Sequence, residues 1–164
     1  IGFMYAIKHN FDFIALTHGD GQYPPEEIPK QIKPLLNNSC DAVFGSRMME
    51  GFKSLKGGMP MYKFIANIAL TTIQNFILGT KMSEFHSGYR SYKINALKNI
   101  SFEKNTNDFH FDSEIIIQMS KLNYMIKENP IPTFYGDEIS HLRSIPYGIN
   151  VLISTIKYKF FYKD

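Results

Sequence analysis

The residues with the most chemical scope lie in one short turn. Asp20 and Gln22 stand two apart in His18-Gly19-Asp20-Gly21-Gln22, directly after the apolar run Phe11-Asp12-Phe13-Ile14-Ala15-Leu16 and before Pro24-Pro25-Glu26. In an extended turn two side-chain oxygens at that spacing can point the same way. Oxygen donors so arranged suit Mg²⁺ or Mn²⁺ that already carries phosphate oxygens. The residue types read as a buried strand, an acidic turn with two glycines, and a helix beginning at Pro25, where a missing N–H costs nothing. The carboxylate therefore belongs at the C-terminal end of a strand, the edge where open α/β sheets collect ligands. Asp-Gly and Gly-Asp are also common turn dipeptides, so a plain turn is the competing reading.

Three further groups carry chemistry. Arg47 closes Gly45-Ser46-Arg47 after the apolar segment Asp41–Gly45, and a guanidinium fork matches phosphate oxygens; a surface arginine is the alternative. Ser83-Glu84-Phe85-His86-Ser87-Gly88-Tyr89-Arg90-Ser91-Tyr92-Lys93 combines polar residues with a Ser-Gly that permits close backbone approach, and then alternates like a half-buried strand. Asp112 and Glu114 stand at the start of a helix that runs to about Leu122 on Ile115, Ile116 and Met119. Asp112 or Ser113 can cap that helix with Glu114 in its first turn, which accounts for both acids without catalysis.

The elements that position these groups follow from periodicity and punctuation. A helix over 2–10 precedes the first strand, and a helix over 25–37 places Ile28, Ile32, Leu35 and Leu36 on one face. With the strand at 41–45 this makes strand, helix, strand, which suggests a parallel crossover. Residues 48–59, with Gly51, Gly57 and Gly58, read as a loop that can close over substrate or simply connect. Met61 to about Leu78 is a long helix with an apolar stripe of Phe64, Ile65, Ile68, Ile73, Phe76 and Ile77, expected to be buried or to lie on a membrane surface. A short helix at 95–100 precedes the acidic helix. Residues 124–134 form an edge-like strand, because two prolines cannot donate to a ladder, and a basic, aromatic amphipathic helix spans 146–162.

Composition narrows the class. The 164 residues fit one domain with a real core; 44% hydrophobic and 20% charged residues exclude a disordered chain. A net charge of +3 from scattered lysines gives no nucleic-acid footprint, but it suits a phosphate-bearing substrate or an anionic membrane. The single cysteine, Cys40, points to a reducing compartment, hence a cytoplasmic location, and away from structural zinc. No apolar run is long enough to span a bilayer. The chain opens at Ile1 inside a helix, so a preceding segment is expected.

The turn at 16–26 resembles the D-x-D-G-Q-x-x-P-E stretch of family 2 glycosyltransferases, in the branch of dolichyl-phosphate mannose synthases and bacterial surface-polysaccharide transferases. Asp20 and Gln22 match its second aspartate and its glutamine, and His18 stands in the place of the first aspartate. Gly45-Ser46-Arg47 is similar to the family's G-S-R, and Glu84 to Arg90 to its D-x-x-S-G-F-R, with Glu84 for aspartate and Tyr89 for phenylalanine. Phe111-Asp112-Ser113-Glu114 is similar to F-D-x-E, and Glu128-Asn129-Pro130-Ile131 to E-x-P-I. Residues 135–141 depart from the mannose synthase branch, which carries an arginine and ends in Ser-Lys.

The resemblance covers nearly the whole chain and implies a fold, a reaction and roles. The fold is an α/β, GT-A-like, mainly parallel sheet with helices on both faces, lacking its first strands. The chain is then the C-terminal two-thirds of one catalytic domain: 1–47 on the donor side, 48–143 on the acceptor side, and 144–164 as a C-terminal amphipathic helix. The reaction is inverting sugar transfer from a nucleotide diphosphate sugar to a glycan or polyprenyl-phosphate acceptor, with possible peripheral membrane contact. Asp20 and Gln22 hold Mg²⁺ or Mn²⁺; His18, Asp20, Arg47 and His141 face donor phosphates; Glu84, His86 and Arg90 lie on the acceptor side. Asp112 or Glu114 is the base for a hydroxyl acceptor, whereas a phosphate acceptor needs none. A nucleotidyltransferase and an inactive nucleotide-sugar-binding module are the rival readings.

Overall fold

The computed structural model describes residues 1–19, 21–132, 134–135 and 144–160. Four strands form one sheet among these residues, in the order β1-β3-β2-β4: β1 Phe13–Leu16, β2 Ala42–Ser46, β3 Arg90–Lys93 and β4 Ile126–Pro130. The helices are α1 Gly2–Lys8, α2 Ile28–Leu36, α3 Lys53–Lys56, α4 Met61–Leu78, α5 Ile94–Lys98, α6 Phe111–Lys121 and α7 Ser144–Phe160.

The strand, helix, strand expectation holds for β1, α2 and β2, with α2 entered through a 3₁₀ turn at Pro25–Glu27. The two strands run in the same direction but are not neighbours. β3 sits between them and pairs antiparallel with both, while β2 and β4 pair in parallel. The sheet is thus mixed rather than mainly parallel in its pairing. The reason is where the chain re-enters: it leaves β2 at Ser46 and returns at Tyr89, whose carbonyl accepts the Gly45 N–H at 2.7 Å, so β3 starts at the edge where β2 ended and must run backwards.

β2 is buried along its length, and its side chains alternate between two apolar clusters, as strand geometry requires. Ala42 and Phe44 join Tyr92, Leu97, Ile115 and Ile116 on one face. Val43 meets Leu35 and Cys40 on the other. Helices α1, α5 and α6 thus cover one face of the sheet and α2 the opposite one. β4 is an edge strand, as its prolines suggested.

Of the two placements expected for the apolar stripe of α4, burial in the core does not hold. Its buried residues are Phe64, Asn67, Thr71 and Gln74, whereas Ile65 and Phe76 are 59% and 89% exposed. The inward positions have polar work: Asn67 reaches Glu84, and Gln74 Nε2 donates to Thr155 Oγ1 of α7 at 3.3 Å. α7 packs on α4 and likewise turns Ile149, Ile153 and Phe160 outward. α4 ends at Gly79 in the left-handed conformation (φ 71°), whose N–H donates to Asn75 O at 2.8 Å. No helix among the described residues is long and apolar enough to cross a membrane.

Candidate active site

The C-terminal ends of β1, β2 and β4 and the start of β3 share one rim, because Leu16 and Phe44 both pair with Arg90, and Ser46 pairs with Pro130. Ser46 closes β2 with its hydroxyl oxygen accepting the N–H groups of Met48 and Met49 at 3.1 and 3.2 Å, a tight turn that aims Arg47 along the rim.

Arg47 is 8% exposed, and its donors are met within the chain. Its backbone N–H donates to Glu84 Oε2 at 2.7 Å and its Nε to Glu84 Oε1 at 2.8 Å. Nη2 donates to the same carboxylate and to His86 O at 3.0 Å, and Nη1 to Tyr135 Oη at 2.8 Å. Asn67 Nδ2 adds a bond to Glu84 Oε1 at 2.7 Å. Burial alone would raise the Glu84 carboxyl, but the Arg47 charge and the hydrogen bonds from Arg47 and Asn67 hold it below its ordinary value. The structure therefore redirects two expectations. The Arg47 fork faces a carboxylate of its own chain rather than an open rim, and Glu84 is the counter-charge that keeps it there instead of an acceptor contact.

Glu128 of β4 secures the same turn from below, accepting from Ser83 N and Ser83 Oγ at 2.7 Å and from Glu84 N at 3.1 Å. Burial, with the Glu84 charge close by, pushes the Glu128 carboxyl up against the pull of these bonds. Arg90, also expected on the acceptor side, is buried and spends its guanidinium on carbonyls: Ser87 O, Asp112 O and Phe85 O, each at 2.8 Å. Its role is to tie the Phe85–Ser87 turn to the start of α6. His86 lies between the two arginines with Nδ1 3.0 Å from Tyr147 Oη of α7. Burial, together with the Arg47 and Arg90 charges and against the pull of Glu84, pushes its imidazole down to about 4, so it is neutral near pH 7.

His18 meets this segment from the β1 side. The β1–β3 register continued two residues past Leu16 and Arg90 sets it opposite Gly88. A Cβ on residue 88 would lie 2.1 Å from His18 Nε2, so only glycine admits the ring. The imidazole meets Tyr23 edge-on at 5.6 Å between centroids, and Tyr23 stacks on Tyr89 at 5.8 Å. Gln22 lies in the same turn, and its carbonyl accepts the Phe134 N–H at 3.4 Å.

The two candidate bases separate. Asp112 is at the rim: its carboxylate is 4.0 Å from Arg90 Nε and its side chain is 22% exposed. Glu114 is turned away and buried, accepting from Thr106 N at 2.8 Å and Ser154 Oγ at 3.2 Å, with His110 Nε2 3.8 Å distant. It fastens α6 to α7 and to the preceding loop, which leaves no geometry for a base. Neither Asp112 nor Ser113 caps α6, because the helix begins one residue earlier, at Phe111, with His110 in the capping position. Asp20 and His141, expected at the metal and the donor phosphates, lie outside the described residues, as does Arg143. Among the described residues no group of three or more His, Cys, Asp or Glu side chains is placed to hold a metal.

Sequence reading missed Asn67, Glu128, Tyr135 and Tyr147. One signal was available for the first: Phe64, Asn67, Thr71 and Gln74 share a helix face at spacings of three and four, a polar stripe as regular as the apolar one beside it.

The model of the family described as Glycosyl transferase family 2 matches residues 3–101, more than half of the chain, and the chain belongs to that family. It is 32% identical over 162 residues to the UDP-N-acetylglucosamine–dolichyl-phosphate N-acetylglucosaminyltransferase of Methanococcus voltae, covering 99% of this chain and 61% of that protein. To the undecaprenyl-phosphate mannosyltransferase of Micrococcus luteus it is 24% identical over 139 residues, covering 84% of this chain and 55% of the other. The crystal structure of glucosyl-3-phosphoglycerate synthase from Mycobacterium tuberculosis in complex with UDP matches with a TM-score of 0.66 at 11% identity, over 93% of this chain and 51% of that one. That likeness is one of fold, and it agrees with the α/β, GT-A-like architecture. The chain spans 61% and 55% of the length of the two relatives it matches here.

Proposed function

We propose that this chain is part of an inverting glycosyltransferase that moves a sugar from a nucleotide diphosphate sugar to a polyprenyl-phosphate acceptor at a membrane surface. The observation that carries this reading is the convergence of His18 and Gln22 with the Ser46–Arg47 and Ser83–Arg90 turns on one sheet rim. The names of the two relatives, which specify dolichyl phosphate and undecaprenyl phosphate, supply the acceptor class. The outward apolar faces of α4 and α7, with exposed Lys157 and Lys159 beside them, suit the boundary of an anionic bilayer where such a lipid resides.

The residues divide the work. Asp20 and Gln22 would hold Mg²⁺ or Mn²⁺, since oxygen donors on a rim turn fit a hard cation that shares phosphate ligands, and His18 adds an imidazole to the same turn. Such an ion, when bound, offsets the charge that develops on the leaving diphosphate. Arg47 and Arg90 act by fixing the Phe85–Ser87 turn against which substrate is placed. A phosphate acceptor is already a nucleophile and needs no proton removed. A glycan hydroxyl is the second reading, favoured by the partly exposed Asp112 carboxylate, which could accept the hydroxyl proton.

Calorimetry of the full-length protein with UDP and GDP, with and without Mn²⁺, tests the donor site, and flotation with anionic vesicles tests the lipid face. Metal-dependent nucleotide binding and co-flotation are expected. Absence of nucleotide binding under every condition would end the catalytic reading.

A further inference from the structure

Three consecutive carbonyls in the rim turn are each taken by a buried guanidinium. Arg90 Nη2 donates to Phe85 O at 2.8 Å, Arg47 Nη2 to His86 O at 3.0 Å, and Arg90 Nε to Ser87 O at 2.8 Å. Ser87 Oγ donates to Gly45 O and adds a fourth restraint. The backbone at His86 is thus held from both sides, and its imidazole is aimed with little freedom.

The ring itself is asymmetric. Nδ1 lies 3.0 Å from Tyr147 Oη, with the two rings edge to face at 5.7 Å. Nε2 is closed off from solvent and has no hydrogen-bond partner among the described residues. A neutral imidazole carries one proton, and the bond made by one nitrogen decides which nitrogen holds it. Burial keeps the Tyr147 phenol protonated by raising it above its ordinary value, and His86 Nδ1 is within its hydrogen-bonding reach. The phenol can donate to Nδ1, which leaves the ring proton on Nε2, or accept from an Nδ1–H, which leaves Nε2 bare.

We propose that Tyr147 is a positioning residue that fixes His86 as the Nε2–H tautomer, and that this N–H is reserved for a phosphate oxygen of bound substrate. The ligand half rests on the sugar-transfer reading; the tautomer half does not. A buried donor without an acceptor is costly, and a site that keeps one carries a hydrogen bond that the ligand completes. Phosphate is the hydrogen-bond acceptor common to a nucleotide diphosphate and a lipid phosphate, the two substrates of the sugar-transfer reading. Since Nε2 is covered in the free protein, the contact forms as substrate seats. Tyr147 belongs to α7, so the helix that turns its isoleucines outward also sets the proton on a rim histidine.

The test uses full-length protein. In two-bond ¹H–¹⁵N spectra with labelled histidine near pH 7, His86 is expected to show a protonated Nε2 and a bare Nδ1, and Tyr147→Phe to yield a tautomer mixture. A wild-type ring protonated at Nδ1, or a Tyr147→Phe spectrum identical to wild type, would overturn the proposal. His86→Gln places an amide nitrogen near the Nε2 position and His86→Asn near Nδ1. Binding of UDP and of a short-chain polyprenyl phosphate to each variant by calorimetry reads the ligand half. Glutamine should keep affinity within about tenfold and asparagine should lose about a hundredfold for one of the two, the range expected for a hydrogen bond to a charged group. The ligand weakened identifies which phosphate is met; equal losses for both variants, or none, would overturn the phosphate assignment. If the wild type binds both ligands but transfers no sugar, the proposed function fails while the spectra and binding still decide this inference.

Discussion

Replacing Glu84 with glutamine examines the central pair of the rim directly. The carboxylate accepts from Arg47 N, Arg47 Nε, Arg47 Nη2 and Asn67 Nδ2, and both partners of the ion pair are buried. Glu84→Gln keeps the shape, removes the charge and turns an N–H₂ toward groups that are themselves donors. Breaking a buried pair in this way costs about 3–5 kcal/mol, because the surviving guanidinium is left in a poor solvent without its counter-charge. That is a large part of the about 5–15 kcal/mol that holds a typical domain together. With a urea dependence of about 1–3 kcal/mol per molar, the unfolding midpoint should fall by about 2 M. The assay is urea unfolding of the full-length protein followed by circular dichroism, with the double variant Arg47→Met/Glu84→Leu alongside. The double variant should recover most of the loss, since an apolar pair of similar volume removes the burial cost of both charges. A shift below about 1 kcal/mol for Glu84→Gln, the range of exposed pairs, would refute the reasoning, as would a double variant no better than the single one.

Two other predictions follow from the same rim. His86 titrates at about 4 in the folded chain, against about 6.5 when unfolded, because burial, Arg47 and Arg90 outweigh the nearby Glu84 carboxylate and the Tyr147 phenol stays neutral. The unfolded state therefore takes up a proton first as pH falls: this contribution to stability is whole above about pH 6.5 and is lost between there and about pH 4, about 3 kcal/mol in all. Urea midpoints across that window should slope less steeply in His86→Gln than in wild type, and parallel slopes would contradict the buried neutral ring. Gly88→Ala should destabilise the protein and move His18 off Tyr23, since the three atoms nearest the added Cβ all belong to the His18 ring. In a double-mutant cycle with His18→Ala the penalty should largely vanish, giving a coupling of about 1 kcal/mol or more; additivity would show that the two residues do not meet.

How much of this was legible in the residues depended on whether the signal was local. The end of β1 and the turn at Pro25 followed from an apolar run, glycines and prolines within a dozen positions, although α2 itself starts three residues later at Ile28, and the 61–78 helix was found to the residue. The orientation of that helix was not, because hydrophobic periodicity marks a face without saying what medium it meets. Asn67 and Gln74 face inward because Glu84 and Thr155 wait there, and those partners lie 17 and 81 residues away. Arg47 was read from its own chemistry, which serves a phosphate or a carboxylate equally well; only the fold brings Glu84, 37 residues distant, within 2.8 Å. The same holds for the candidate bases. Asp112 and Glu114 are equivalent as letters two apart, and the half turn of helix between them sends the first toward Arg90 and the second toward α7. β3 was expected as a strand, but its place between β1 and β2 depended on the edge at which the chain returned.

The grip of two guanidiniums on the carbonyls of Phe85, His86 and Ser87 also decides what this main chain can still bind. Backbone oxygens so engaged have little left to ligate a cation, so this stretch of main chain is a poor seat for a metal. Under the proposed function, a divalent ion would take its oxygens from other residues.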